Sequence, residues 1–277
     1  MISRLSTFLR HGGYLFVGSI FLLPLWWALS SSLKPLAEVF HDTSPFHARA
    51  LLPVPFDLQA YAEIFRKGFG QAIWNSFLVA FLSVTAGLAV NGCAGFAFAV
   101  LSFPGKNVLF ALTVLTFLVP SEAIAVPLYT VVRNLGWLDT YAALIVPGLA
   151  NGITIFLFRQ FFAQIPRELA EAARVDGASW MTILWRIYVP LCKPVIISAG
   201  LLIFLFQWES FLWPLIATRS ESMRVVQVAL AGFEQQHQTL WNEVFAGSVI
   251  SSAIPLLILL PLQRYYIQGV VGASIKG

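Results

Sequence analysis

Residues Ile165–Pro194 read IPRELAEAARVDGASWMTILWRIYVPLCKP, the longest polar interruption in the second half of an otherwise apolar chain. Pro166 suits the first position of a helix, and Glu168 falls in its first turn, where negative charge is favoured. The pattern predicts a short helix over Arg167–Val175 that stops at Gly177, the natural helix-ending residue. Ser179 can cap a second helix that runs to Pro190. The segment is therefore helix, tight turn, helix, and a loop this structured is built to dock.

What flanks it decides the fold class. Of the 277 residues, 58% are hydrophobic and 11% charged, with a mean hydropathy of +0.78. Soluble domains carry charge on about 25% of residues. The chain is all-α, a polytopic membrane protein forming one transmembrane domain over 1–277. Apolar runs of roughly twenty residues, enough to cross a bilayer, lie at about 12–33, 72–101, 108–131, 141–158, 194–217 and 244–262. The loop 159–193 separates the fourth from the fifth. The first run is too long for a signal peptide and is followed by no clear small-residue cleavage site, so it reads as a retained span. Span two is rich in Gly and Ala, which allow close helix packing in lipid. Span three contains Pro120 and Pro127, and span four contains Pro147, Gly148, Asn151 and Gly152. Between spans one and two, Lys34–Gly70 is polar and proline-rich, with one short helix expected around Leu58–Lys67.

An even number of spans puts both termini on one side. With that side cytoplasmic, ten of the 17 basic residues lie inside, the expected sign of bias. The net charge of +4 comes from dispersed residues with no basic stripe, so nucleic acid is not a partner; the lipid bilayer is. Cys93 and Cys192 sit in apolar segments as small buried residues, and the four histidines have no metal-ligand spacing.

Glu171-Ala172-Ala173, three residues, Gly177, nine residues, Ile187, one residue and Val189-Pro190 together resemble the EAA loop of bacterial ABC-importer inner-membrane permeases. That family usually has Leu where Val189 stands. The likeness extends over nearly the whole chain. Ser32-Leu33-Lys34-Pro35, Asn75-Ser76, Phe103-Pro104-Gly105-Lys106, Phe211-Leu212-Trp213-Pro214 and the tail Gly269–Gly277 are similar, in this order, to the carbohydrate-uptake branch and its maltose-type G permease subunit. The resemblance implies a heterodimer with a second homologous permease, two cytoplasmic ATPase subunits and an extracytoplasmic binding protein, in the bacterial cytoplasmic (inner) membrane. It implies transport of a sugar or related polyol or glycoside; a permease for glycerol phosphate or an amino acid is the alternative. In that family the loop forms coupling helices seated in a cleft of the ATPase. Glu171 is then the anchoring charge, Ala172 and Ala173 permit close approach, Gly177 makes the turn, and Arg174 and Asp176 are further contacts. The tail from Gly269 is a further candidate for contact with the ATPases. Read from the residues alone, the same loop is a solvated helix pair in which Glu171 pairs with Arg167 or Arg174.

No GxxxxGK[ST] loop is present: Val100 stands where the first glycine is required, and Asn107 follows Lys106. The chain is not itself an enzyme and binds no cofactor, and ATP with its Mg belongs to the partner ATPase. Two acids lie where charge is expensive, Glu122 in span three and Glu209, after Trp208, in span five. Ionisable groups within spans usually face a bundle interior or a wet cavity. Aromatic rings beside polar groups suit sugars, so Glu122, Asn151, Trp208 and Glu209 are substrate-path candidates. Helix packing or an interfacial position is the other reading of each. The family usually shows Asn-Asp after the tryptophan, where this chain has Glu209-Ser210. A membrane-embedded enzyme would need a His, Asp or Glu cluster that the spans do not supply. An ion-coupled secondary transporter would have no use for the loop, and collapse of the proton gradient with ATP retained separates it from an ATP-driven importer.

Overall fold

A computed structural model describes residues 2–233 and 239–274, with side chains described within 10–264. Among these residues the chain is helical and contains no strand. Lipid offers no partners to backbone N–H and C=O, so a spanning segment must satisfy them internally. The principal helices are α1 (Ile2–Ser32), α2 (Gln59–Arg66), α3 (Phe69–Val100), α4 (Lys106–Thr116), α5 (Ser121–Asn134), α6 (Tyr141–Ile145), α7 (Gly152–Phe162) and α8 (Arg167–Val175). They continue with α9 (Trp180–Leu191), α10 (Lys193–Trp208), α11 (Leu212–Ala217), α12 (Val226–Ala231) and α13 (Trp241–Ser274).

Arg10–Ser32, Phe69–Val100 and Trp241–Arg264 are each long and apolar enough to cross a membrane unbroken. The other spans are bent. α4 and α5 meet at 101°, α6 with its 3-10 extension meets α7 at 45°, and α9 meets α10 at 91°. Counting each bent pair as one span gives six. This corrects the continuous runs read at 108–131 and 141–158. The run at 194–217 also breaks, since α10 ends at Trp208 and α11 begins at Leu212. Pro120 stands immediately before α5 and Pro147 in the 3-10 turn after α6. Each removes a backbone donor, so the helix restarts rather than continues. The last helix runs on to Ser274, beyond the end expected near 262. Residues 275–277, and the side chains of the tail proposed to touch the ATPases, lie outside the described residues.

The chain divides into two compact units, Met1–Gln71 with Val228–Ile254, and Ala72–Gln227 with Pro255–Gly277. In the first, the end of α1 is fastened by polar contacts. Trp26 donates to the Leu51 carbonyl (2.9 Å), and the Ser32 and Tyr61 hydroxyls pair at 2.8 Å. Lys34 is buried and donates to the Ala50 carbonyl at 3.0 Å. Burial pushes its ammonium below the ordinary lysine pKa, against the opposing pull of Asp42 and Glu38. Lys67 closes a bidentate pair on buried Glu243, 2.6 and 2.7 Å.

The second unit is built around α3, α7, α9 and α10. Phe96, Phe158, Phe162, Ile183, Tyr188 and Val195 are at its centre. Tyr188 stands edge-on to both Phe96 (centroids 5.0 Å apart) and Phe162 (5.6 Å), the favoured geometry of aromatic pairs. α3 crosses α7 at Gly95, where a Cβ would overlap the Phe158 side chain and lie 3.1 Å from the Arg159 nitrogen.

Candidate coupling loop and broken spans

The helix–turn–helix forms at the bounds its sequence predicts. Gly177 has φ +84°, a left-handed conformation open to glycine at no steric cost. The N–H of Gly177 donates to the Arg174 carbonyl (3.0 Å) and that of Ala178 to the Ala173 carbonyl (2.9 Å). This is a Schellman motif, which satisfies the last carbonyls of α8. Ser179 then caps α9, accepting from the Thr182 N–H at 3.2 Å. Arg174 donates to the Ala178 carbonyl at 2.8 Å and lies 4.9 Å from the centroid of the Trp180 ring. Its guanidinium thus binds the two arms of the turn together.

α8 is amphipathic in the sense its sequence requires. Ala170 is buried and Ala173 packs on the aromatic centre of the unit, while Glu171, Ala172, Asp176 and Gly177 face outward. Val175 is 87% exposed, and Leu169, Met181 and Trp185 are exposed beside it in the sequence of the loop. Among the described residues Glu171 forms no ion pair with Arg167 or Arg174. The loop therefore presents an uncompensated carboxylate and bare apolar side chains on a locked turn. Such a surface suits a partner able to supply a cation and an apolar cleft.

The substrate-path candidates fall at the breaks in the spans. Glu122 is in the first turn of α5, exposed, with Ser121 donating to its carboxylate at 3.0 Å. Asn151 caps α7, its side-chain oxygen accepting from the Thr154 N–H at 3.0 Å. Glu209 ends α10 and is exposed. Trp208 differs: it is 1% exposed and stacks on Phe204 with centroids 5.6 Å apart, so in this conformation its ring packs the interior and offers no face to a solute. The four stand at three separate breaks, Glu122 at α4–α5, Asn151 at α6–α7, and Trp208 and Glu209 at α10–α11.

The residues that hold the breaks are ones the sequence reading passes over or, for Asn75, quotes only for the family likeness. Asn91 is fully buried in α3. Its amide donates to the carbonyls of Gly87 (2.6 Å) and Leu149 (2.8 Å), and its oxygen accepts from the Asn151 N–H (2.8 Å). It thereby satisfies both edges of the α6–α7 break. Gln207 links Ser83 on α3 (2.7 Å) with the Leu144 carbonyl on α6 (3.2 Å). Asn75 donates to the carbonyls of Ser222 and Arg224 and accepts from the Tyr141 hydroxyl at 2.8 Å. Asp139 accepts from the N–H groups of Arg219 and Ser220 and from the Ser220 hydroxyl, at 2.9, 3.0 and 3.0 Å. Those bonds, the Arg219 N–H first, hold its carboxyl below the usual aspartate pKa. Internal polar residues with several partners at a helix break are the only sequence signal for such pins, and one chain does not reveal the partners.

A family model described as a binding-protein-dependent transport system inner membrane component matches residues 91–271. An sn-glycerol-3-phosphate transport system permease protein, UgpE, of Yersinia enterocolitica is 33% identical over 268 residues, covering 92% of both chains. An arabinooligosaccharides transport system permease protein, AraQ, of Halalkalibacterium halodurans is 30% identical over 283 residues, covering 99% of this chain and 98% of that one. Among solved structures, a bacterial ABC transporter involved in the import of the acidic polysaccharide alginate matches with a TM-score of 0.80 at 24% identity, covering 95% of this chain and 96% of that chain. At that identity the match establishes the fold and leaves the cargo open.

Proposed function

Because the chain belongs to the family of binding-protein-dependent transport system inner membrane components, we propose that it is one of two permeases of an ATP-driven importer for a sugar or a related polyol or glycoside. In this reading both termini and α8–α9 face the cytoplasm, and two ATPase subunits receive the loop. A binding protein delivers solute from the other side to the segments around 34–70 and 218–243. ATP and Mg stay on the ATPases. The observation that carries the reading is the locked turn at Gly177 with Glu171 unpaired and Val175 bare beside it.

A second reading, transport of a glycerol phosphate, is favoured by the 33% identity to the Yersinia permease. The charges at the three breaks that hold the substrate-path candidates weigh the other way. Glu122 and Glu209 are the only ionisable side chains in 117–122, 149–151 and 209–211, and both are acids. Carboxylates repel a phosphomonoester and accept hydrogen bonds from sugar hydroxyls, so a neutral polyhydroxylated solute suits them better.

The test is solute-stimulated ATP hydrolysis and uptake in liposomes containing this chain, its partner permease, the ATPase dimer and the binding protein. Wild type is compared with Glu171→Ala and Gly177→Val, and labelled oligosaccharide with sn-glycerol 3-phosphate. Both substitutions are expected to lower uptake at least tenfold while the complex still assembles. Undiminished uptake in both would sink the coupling assignment, and uptake of the phosphate ester alone would replace the sugar reading.

A further inference from the structure

α9 is not wound uniformly. Leu184–Tyr188 forms a π-helical turn between α-helical ends, and a 91° elbow follows at Cys192. Pro190 gives the turn a local cause, since a proline ring collides with the carbonyl four residues earlier and removes the N–H that would bond it. Widening the preceding turn relieves that collision. π turns are rare and concentrate at functional sites.

Tyr188 ends this π turn. Its side chain is 0% exposed, held edge-on between Phe96 and Phe162, and among the described residues its hydroxyl has no hydrogen-bond partner. A buried unpaired hydroxyl raises the free energy of the conformation that contains it. It does so here at the joint between the docking loop and α10. We propose that Tyr188 is a positioning residue for energy coupling: in the alternate transport state the Leu184–Tyr188 turn rewinds and the hydroxyl gains a partner, so its orphaned state here drives the joint to switch. The residue touches no solute and acts through α9. This inference rests on the reading that the loop transmits ATPase movement. It adds the element with two arrangements that such transmission needs.

The decisive variant is Tyr188→Phe, which keeps the ring between Phe96 and Phe162 and removes only the hydroxyl. The full complex with partner permease, ATPase and binding protein is studied in lipid nanodiscs and liposomes. Two readouts are made: hydrogen exchange over 184–192 with and without ATP under non-hydrolysing conditions, and solute uptake per ATP hydrolysed. Wild type is expected to change protection over 184–192 when nucleotide binds. Tyr188→Phe is expected to require about tenfold more nucleotide for the same change, a shift of about 1.4 kcal/mol, to melt no lower than wild type, and to lose uptake. A role confined to packing predicts unchanged nucleotide dependence, and that result overturns the proposal. So does a wild-type complex that transports solute with no nucleotide response over 184–192. A wild-type complex that changes protection and yet imports nothing contradicts the importer reading and leaves the joint standing. Tyr188→Leu, which also removes the ring, is expected to lower the melting temperature and so separates loss of packing from loss of the hydroxyl.

Discussion

Asn91→Leu is the sharpest test of how the broken spans are held. The substitution keeps the branched four-heavy-atom shape of the side chain, with methyl groups bulkier than the amide, and removes three hydrogen bonds in the second unit. Of these, the bond to the Gly87 carbonyl matters least, because that carbonyl belongs to the continuous α3 ladder. The other two matter more. The Leu149 carbonyl and the Asn151 N–H flank the α6–α7 break, where no helical partner replaces Asn91. Leaving a buried backbone group unpaired costs about 1–3 kcal/mol. Both groups are only half-buried by residue, so about 3 kcal/mol for the two together is reasonable. In a chain of this size about 1 kcal/mol moves the melting temperature by roughly 2–4 °C, giving a fall of roughly 6–12 °C. The assay is loss of the monodisperse peak of the detergent-solubilised complex on heating, read with hydrogen exchange at Asn151. Asn91→Asp is the companion: its carboxylate still accepts from the Asn151 N–H but faces the Leu149 carbonyl with no proton to offer, so it should be no better than leucine. If Asn91→Leu melts within 2 °C of wild type and the Asn151 amide stays protected, the break is held by something other than this side chain.

Further outcomes follow from single contacts. Gly95→Ala should reduce the yield of folded protein severely, because its Cβ meets Phe158 and the backbone of Arg159, while Gly92→Ala, whose nearest neighbour is 4.0 Å away, should purify normally. Glu171→Ala should leave the melting temperature within about 1–2 °C of wild type, since an exposed unpaired side chain contributes within about 0.5 kcal/mol, so a transport defect there reports coupling alone. Asp139→Ala should loosen the 218–220 segment, measured by proteolysis between 217 and 225, whereas Asp139→Asn keeps an acceptor and should behave closer to wild type. Asp139 has a depressed folded-state pKa, so its contribution is complete above the unfolded aspartate value and fades as pH falls through the lower folded value. Proteolysis of the segment should therefore rise only on strong acidification, and Asp139→Asn should abolish that dependence.

What could be read from the chain was local. Pro166, Gly177 and Ser179 act on backbone within a turn of themselves, so the bounds of α8 and the capped start of α9 follow from them directly. The outward face of Glu171 follows from helical spacing once Ala170 and Ala173 are turned inward. The bends were harder. Average hydropathy over twenty residues has no term for direction, and α4–α5 has the same apolar content whether straight or folded back by 101°. Pro120 and Pro147 were visible, but prolines within a span do not by themselves distinguish a kink from a restart. Asn91 and Gln207 were invisible as pins because their partners lie far away in sequence, Leu149 and Asn151 for one and Ser83 and Leu144 for the other. Trp208 was read for its ring chemistry, and its burial against Phe204 depends on how α10 is turned.

The second unit divides mechanically along these lines. From α8 and α9 inward, side chains of Phe96, Phe158, Phe162 and Tyr188 interlock between α3, α7 and the docking loop. Close-packed interiors have low compressibility and pass displacement on, so under the proposed coupling role a push on the loop would carry α3 and α7 with it. Beyond that block the helices are interrupted, and the joints are fastened by a few directional bonds from Asn91 and Gln207. Hydrogen bonds to backbone at a break can be exchanged one at a time, whereas an aromatic interlock must move as a body. Glu122, Asn151 and Glu209 all stand on the interrupted side of this division. A rigid input end and a re-formable far end are what conversion of one loop movement into a change of cavity shape requires. The Tyr188 joint lies where the first meets the helix leading to the second.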